Sequence, residues 1–282
     1  MNNNDNTHSA KSPLGDLGVL GKICANKRLE VARQKEAIPL SYLKNLISSQ
    51  DHRTISFKQS LADSDSGIIA EFKRRSPSKG WIHPHAEIEE IVSGYEKAGA
   101  SAISVLTDDP FFGGSFSDFK KARNILTKVP LLRKDFIVDE YQIYQSKMMG
   151  ADVILLIAAC LTPEEAARFA QIAHELELEV LLEIHRESEL IYIQPAVDVV
   201  GINNRDLKTF VTDIQHTIDL AHKIPEEYLK ISESGLSRVE TVVNLRKEGF
   251  KGFLMGENFM KTNDPAQALN ILIKDTLLQN TA

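Results

Sequence analysis

Residues 153–184 read VILLIAACLTPEEAARFAQIAHELELEVLLEI, and the fold turns on how they are parsed. Val153 to Ile157 is a short aliphatic run, bounded too closely to be a helix. Thr162 followed by Pro163 has the form of a helix start, an N-cap hydroxyl with proline in the first turn, and predicts a helix over 163–176. A second apolar run, EVLLEI from Glu179, follows. Both runs are near-continuously apolar rather than alternating, as in a sheet covered on both faces. Strand, crossover helix and strand together make a parallel unit.

The same unit recurs in both directions. Strand-like runs begin at Ile68 (IIAEF), Ala102 (AISVL), Leu131 (LLRK), Val199 (VVGIN), Leu229 (LKIS) and Gly252 (GFLMG). Helical patterns lie over 88–98, 117–126, 140–149, 187–193, 213–223, 238–248 and 265–277. Gly99, Gly150 and Gly249 stand where a left-handed cap closes a helix before the next strand. Eight strand-then-helix units over about 210 residues predict an α/β chain closed into a (β/α)8 TIM barrel. The alternative, a doubly wound open sheet, needs a glycine fingerprint after its first strand, and IIAEFKRRSPS has none.

Before the repeat come a polar tail over residues 1–15, expected to be disordered, and an N-terminal helical extension over about 16–65. Leu17, Leu20, Cys24 and Val31 recur at helical spacing, with Lys and Arg on the other face. Further helical pieces lie around 42–47 and 56–61. No linker interrupts the rest, so 16–282 is expected to be one domain.

A formal net charge of -6 argues against a general nucleic-acid surface. No apolar run approaches the roughly 20 residues that span a bilayer, and the polar start holds no secretion signal. Two cysteines, Cys24 and Cys160, make neither a disulfide framework nor a zinc site and are expected as small buried hydrophobes. A cytoplasmic, reduced protein is expected. His83 and His85 resemble a metal-ligand pair but lack a third ligand, so no metal site is expected.

In such a barrel, function sits at the C-terminal strand ends. Glu71, Lys134 and Glu183 lie in or just after three apolar strands, where an unpaired charge is costly. For any one of them a structural ion pair explains the charge; together, at the ends of different strands, they read as acid–base chemistry, a lysine donating a proton and a glutamate accepting one. Ser234-Gly235 and Gly256-Glu257 bring small residues and backbone N–H groups to the strand ends where these barrels commonly hold a phosphate. Phe112 and Phe136 are candidate walls of an apolar pocket.

The segments EFKRRSPS (71–78), SVLT (104–107), LRKDFIV (132–138), GINNRDL (201–207) and SESG (232–235), in this order at these strand ends, closely resemble indole-3-glycerol phosphate synthase, from about Leu17 to the C-terminus. The resemblance implies ring closure of 1-(2-carboxyphenylamino)-1-deoxyribulose 5-phosphate to indole-3-glycerol phosphate, with loss of carbon dioxide and water, in tryptophan biosynthesis. It implies no cofactor. Carried over by position, Lys134 is the acid that protonates the ribulose carbonyl, and Glu183 stabilises the cationic intermediate or shares in later proton transfers. Glu71 and Lys73 resemble the pair engaged in loss of water, and Asn203 and Ser234 orient the substrate. Ser76, Pro77, Ser78 and Arg205 join the substrate-binding set, and Phe112, Phe136 and Leu156 form the apolar slot. Backbone N–H groups of Gly235, Gly256 and Glu257 hold the phosphate. The family often carries a small hydroxyl residue where this chain has Glu257-Asn258, so a Glu257 contact is expected only through its backbone.

A Schiff-base aldolase with Lys134 as nucleophile, a sugar-phosphate isomerase and a non-catalytic barrel remain as alternatives. The expected partner is a small sugar phosphate, with neither nucleic acid nor membrane. A monomer is the default, and association with other tryptophan-pathway enzymes stays open.

Overall fold

The computed structural model describes residues 18–48, 53–206 and 211–280. The tail expected over 1–15, Leu17 of the first helix and Leu207 of GINNRDL lie outside them. Three helices precede the barrel: α1 (Gly18–Ala37), α2 (Leu40–Ile47) and α3 (Phe57–Ala62). Then come β1 (Ile68–Phe72), a hairpin of β2 (Arg75–Ser76) and β3 (Gly80–Trp81), α4 (Ile88–Ala98), β4 (Ala102–Leu106), α5 (Asp109–Phe112) and α6 (Phe116–Ile125). The middle holds β5 (Leu131–Lys134), α7 (Tyr141–Met148), β6 (Val153–Ile157), α8 (Pro163–Glu175), β7 (Glu179–Ile184) and β8 (Val199–Asn203). Last are α9 (Ile214–Ala221), β9 (Leu229–Glu233), α10 (Val239–Lys247), β10 (Gly252–Met255), α11 (Glu257–Met260) and α12 (Pro265–Asn280).

Eight of these strands close in the order β1-β10-β9-β8-β7-β6-β5-β4, every pairing parallel. This is the (β/α)8 barrel that the eight apolar runs predict. Residues of β1, β4, β6 and β10 are buried throughout, because the interior takes one face of each strand and the surrounding helices the other. Helix starts and stops follow their local chemistry. Thr162 caps α8 in a reciprocal box with Glu165, with Pro163 in the first turn. Gly99, Gly150 and Gly249 take φ of 92°, 81° and 87°.

The helix expected over 187–193 is instead a 3-10 turn, Glu187–Tyr192. The Glu189 side chain turns back to accept from the His185 N–H, and Pro195 forestalls any longer helix. Two further elements escape the hydrophobic pattern. The β2–β3 hairpin is too short to show it, and α5 is one turn capped by Asp108 and ended by Gly113 at φ 63°.

The N-terminal helices are tied into the barrel. Phe57 and Leu61 of α3 are fully buried, and Ser56 Oγ and Lys58 N donate to the Glu179 carboxylate at 2.5 and 2.7 Å. In α1 the buried face comprises Leu20, Ile23, Cys24, Lys27 and Val31. Leu20, Cys24 and Val31 are inside as expected, but Lys27 is not on the solvent face. Its Nζ meets Asp108 at 3.0 Å, Asp135 at 3.1 Å and Glu30 at 2.9 Å. Cys24 and Cys160 are both buried and free, and their thiols face each other with Sγ atoms 2.7 Å apart. No described helix is long and apolar enough to cross a membrane.

Candidate active site at the C-terminal strand ends

Register explains how residues remote in sequence converge. Ile157 pairs with Glu183, Glu183 with Gly201, Asn203 with Glu233 and Glu233 with Leu254, so these side chains share the inward face at neighbouring heights. On the other side of the barrel Leu106 pairs with Lys134, and Glu71 is the last residue but one of β1. They line a cavity of about 420 Å³ that opens at the C-terminal ends of the strands.

Its floor is a charged cluster. Lys134 Nζ, on β5, donates across the barrel to Glu233 Oε2 on β9 at 2.9 Å and to Glu183 Oε2 on β7 at 3.4 Å. Burial alone would depress the Lys134 pKa; Glu233, Glu183 and Glu71 overcome that and push it well above the ordinary lysine value, so Lys134 is an ammonium. Glu183 feels the reverse balance. Burial would raise it, but Lys134, His185 and Asn203 hold it well below the usual carboxylate range. Asn203 Nδ2 donates to Glu183 Oε1 at 3.0 Å. Glu233 is pushed up to about 7 by burial and by its neighbours Glu183 and Glu71, against the pull of Lys134. Lys73 and Glu71 form a separate pair at 2.5 Å.

Two glycines create the space these carboxylates occupy. A Cβ on Gly201 would overlap the Glu233 carboxylate. A Cβ on Gly256 would lie 2.7 Å from Glu71 Oε1 and 2.8 Å from its Cβ. Gly256, which precedes α11, is therefore required for Glu71.

The expected residues are gathered with one exception. Glu71, Lys73, Ser76, Pro77, Ser78, Phe112, Lys134, Phe136, Glu183, Asn203, Arg205, Ser234, Gly235, Gly256 and Glu257 all line this one cavity. The rings of Phe112 and Phe136 pack at 5.7 Å between centroids. Arg205 Nη1 donates to Ser78 Oγ at 3.2 Å, bridging the loops after β8 and β1. Ser234 and Gly235 both have φ of 69°, a left-handed turn that a serine adopts only against strain. Leu156 is the exception and is corrected. It is fully buried but does not face the cavity; Leu155 and Ile157 do, because alternate residues of β6 face opposite sides. Of the His83–His85 pair, the His83 ring bonds the Met260 carbonyl at 3.1 Å, and no described cluster of ligands could hold a metal.

The sequence pattern does not single out Glu233, three residues of α1 or His185. Glu233 stands inside the SESG segment, and its burial in a strand was the available signal. Val19, Leu20 and Ile23 of α1 wall the cavity, which no local pattern reveals. His185, the residue after β7, sits behind Glu183 with Nε2 3.2 Å from Oε1.

A closed parallel barrel that gathers a protonated lysine and three buried carboxylates on its inward C-terminal face is an acid–base enzyme of the (β/α)8 class. The sequence profile described as "Indole-3-glycerol phosphate synthase" matches residues 20–272, and the chain belongs to that family. An indole-3-glycerol phosphate synthase of Bacteroides thetaiotaomicron is 54% identical over 256 residues, 91% of this chain and 98% of that protein. One from Caldanaerobacter subterraneus subsp. tengcongensis is 44% identical, over 87% of this chain and 94% of that protein. Among solved structures, thiamine phosphate pyrophosphorylase of Pyrococcus furiosus matches at TM-score 0.59 with 13% identity, over 80% of this chain and all (100%) of that one. The tryptophan synthase α subunit of Legionella pneumophila matches at 0.57 with 12% identity, over 79% and 97%. At that identity the two structures share the fold alone.

Proposed function

We propose that this chain converts 1-(2-carboxyphenylamino)-1-deoxyribulose 5-phosphate to indole-3-glycerol phosphate, carbon dioxide and water. The observation that carries the assignment of roles is the Lys134 ammonium held between Glu183 and Glu233 on the inward face. In the first step the ring carbon bearing the carboxylate attacks the ribulose carbonyl. The new carbon–carbon bond draws the carbonyl π pair onto oxygen, and Lys134 delivers a proton there. Positive charge builds on the ring and nitrogen, and ionised Glu183 stabilises it. Carbon dioxide then leaves, its bonding pair restoring aromaticity. Loss of the new hydroxyl as water and of a proton from the adjacent carbon completes the pyrrole ring, with Lys73 and Glu71 as the acid–base pair for that step.

Phe112, Phe136, Leu155 and Ile157 supply the apolar wall that holds the reacting carbons together, the entropic share of the barrier. Asn203 and Ser234 orient the polar groups of the substrate, Ser76, Pro77, Ser78 and Arg205 complete its binding surface, and backbone N–H groups at Gly235, Gly256 and Glu257 hold the phosphate. The reading carries with it a cytoplasmic monomer in which barrel and N-terminal helices form one domain and no cofactor takes part. A lysine held so firmly as an ammonium is poorly suited to be a Schiff-base nucleophile, which must be neutral to attack. The test is product analysis by NMR after incubation with the carboxyphenylamino-deoxyribulose phosphate, with borohydride added in parallel. Indole-3-glycerol phosphate and equimolar carbon dioxide, with no lysine adduct, are expected; a trapped adduct at Lys134 overturns the assigned acid role.

A further inference from the structure

The His185 side chain is only 7% exposed, yet it does not line the cavity, and none of the roles above uses it. Its ring lies between two carboxylates, with Nε2 3.2 Å from Glu183 Oε1 and Nδ1 3.7 Å from Glu189 Oε2. The position is clamped from several sides. Glu189 accepts the His185 backbone N–H at 2.6 Å and Arg186 Nε at 2.9 Å, and the His185 carbonyl accepts from the His216 ring at 3.0 Å. A histidine satisfying a structural carboxylate would look similar, but here the carboxylate is the one that faces the reacting lysine.

Charge accounting across the cluster shows why that matters. Glu71 has Lys73 to itself, whereas Lys134 is shared by Glu183 and Glu233. When Lys134 gives its proton to the substrate, both carboxylates lose their common cation at the moment Glu183 must face positive charge. We propose that His185 is a positioning residue for Glu183: held as a cation between Glu183 and Glu189, it keeps Glu183 ionised and aimed while Lys134 is neutral. The groups facing this ring are Glu183 on β7 and Glu189 in the following turn, with Lys134, Asn203 and the Cys160 thiol beyond Glu183 and Arg186 beyond Glu189. Burial would strip the proton from His185, but its contacts with Glu183 and Glu189 hold the imidazolium up to about 9.

The inference rests on the proposed reaction, and the experiment separates the two. His185→Gln keeps a hydrogen-bond donor but loses the charge. Wild-type turnover is measured first, since its absence would remove the reaction rather than the role of His185. With the wild type active, His185→Gln is expected to lower kcat roughly tenfold or more, the size of one pK unit of lost charge interaction, with KM little changed. The Glu183 carboxyl itself, followed by carbon-13 NMR, should titrate at higher pH in the variant, because it is harder to ionise without a neighbouring cation. Unchanged kcat and an unchanged Glu183 titration would overturn the proposal. Nitrogen-15 NMR of wild-type enzyme with labelled histidine, the His185 ring assigned by through-bond correlation to its backbone, reads the state of the ring even if the variant folds poorly. An imidazolium at neutral pH that titrates near pH 9 is expected, and a neutral ring at pH 7.5 would contradict it.

Discussion

Lys134 owes its charge to company rather than to exposure: burial works against its proton, and three carboxylates hold it on. Replacing it by alanine removes the proposed proton donor and leaves Glu183 and Glu233 buried around a missing cation. A loss of roughly 100- to 10,000-fold in kcat is expected, the usual range for a positioned acid. Glu233 gives a prediction with a sign. Its carboxyl is raised to about 7, so it ionises as pH climbs through neutrality, and only then does it hold Lys134 fully in place. The kcat/KM profile of the wild type should rise through about pH 7, and in Glu233→Gln that inflection should vanish. An identical profile in the variant would show that the titration belongs elsewhere. Glu233 was within the quoted sequence motif but had no role there, because its partners lie on β5 and β7, far away in the chain.

At the scale of an element, β6 separates wall from core. Leu155 faces the cavity and Leu156 the helical layer, although neighbours in sequence and both buried. Leu156→Ala should cost about 2–5 kcal/mol of unfolding free energy in a denaturant titration while leaving KM unchanged. Leu155→Ala should instead raise KM, seen in steady-state turnover, because it opens the apolar wall. The strand itself was legible in VILLI, since a short aliphatic run between turn signals has few other readings. Which of its faces points inward was not, because a strand buried on both sides carries no alternation to set the phase. Helices with caps, such as α8, were legible to within a residue or so; Glu187–Tyr192 was not, because its Glu189 serves His185 rather than a helical surface.

For the whole molecule, the buried joint between α1 and the barrel is the point to test. Lys27 is surrounded by Asp108, Asp135 and Glu30, and Asp135 also accepts from Arg133 at 2.9 Å and Thr107 at 2.6 Å. Lys27→Ala strips buried Asp108 of its cation, while Asp135 keeps Arg133, and should destabilise by about 3–5 kcal/mol, read by chemical unfolding. Burial would raise Asp135, but Arg133, Lys27 and Thr107 hold it down at about 2. A depressed carboxyl contributes stability above its unfolded pKa, ordinarily about 3.9, and loses that contribution as pH falls toward 2. Acid titration of unfolding in wild type and Asp135→Asn should differ in that window, with the variant flatter. The helix was legible from its spacing, while the burial of Lys27 was hidden because both aspartates arrive from distant strand ends.

The most direct measurement is fluorescence-detected turnover of 1-(2-carboxyphenylamino)-1-deoxyribulose 5-phosphate by the wild type and by Lys134→Ala, with circular dichroism to show that both are folded. The account predicts indole product from the wild type and a loss of orders of magnitude in the variant. A folded wild type that makes no indole, or a variant that turns over as fast as the wild type, would contradict it.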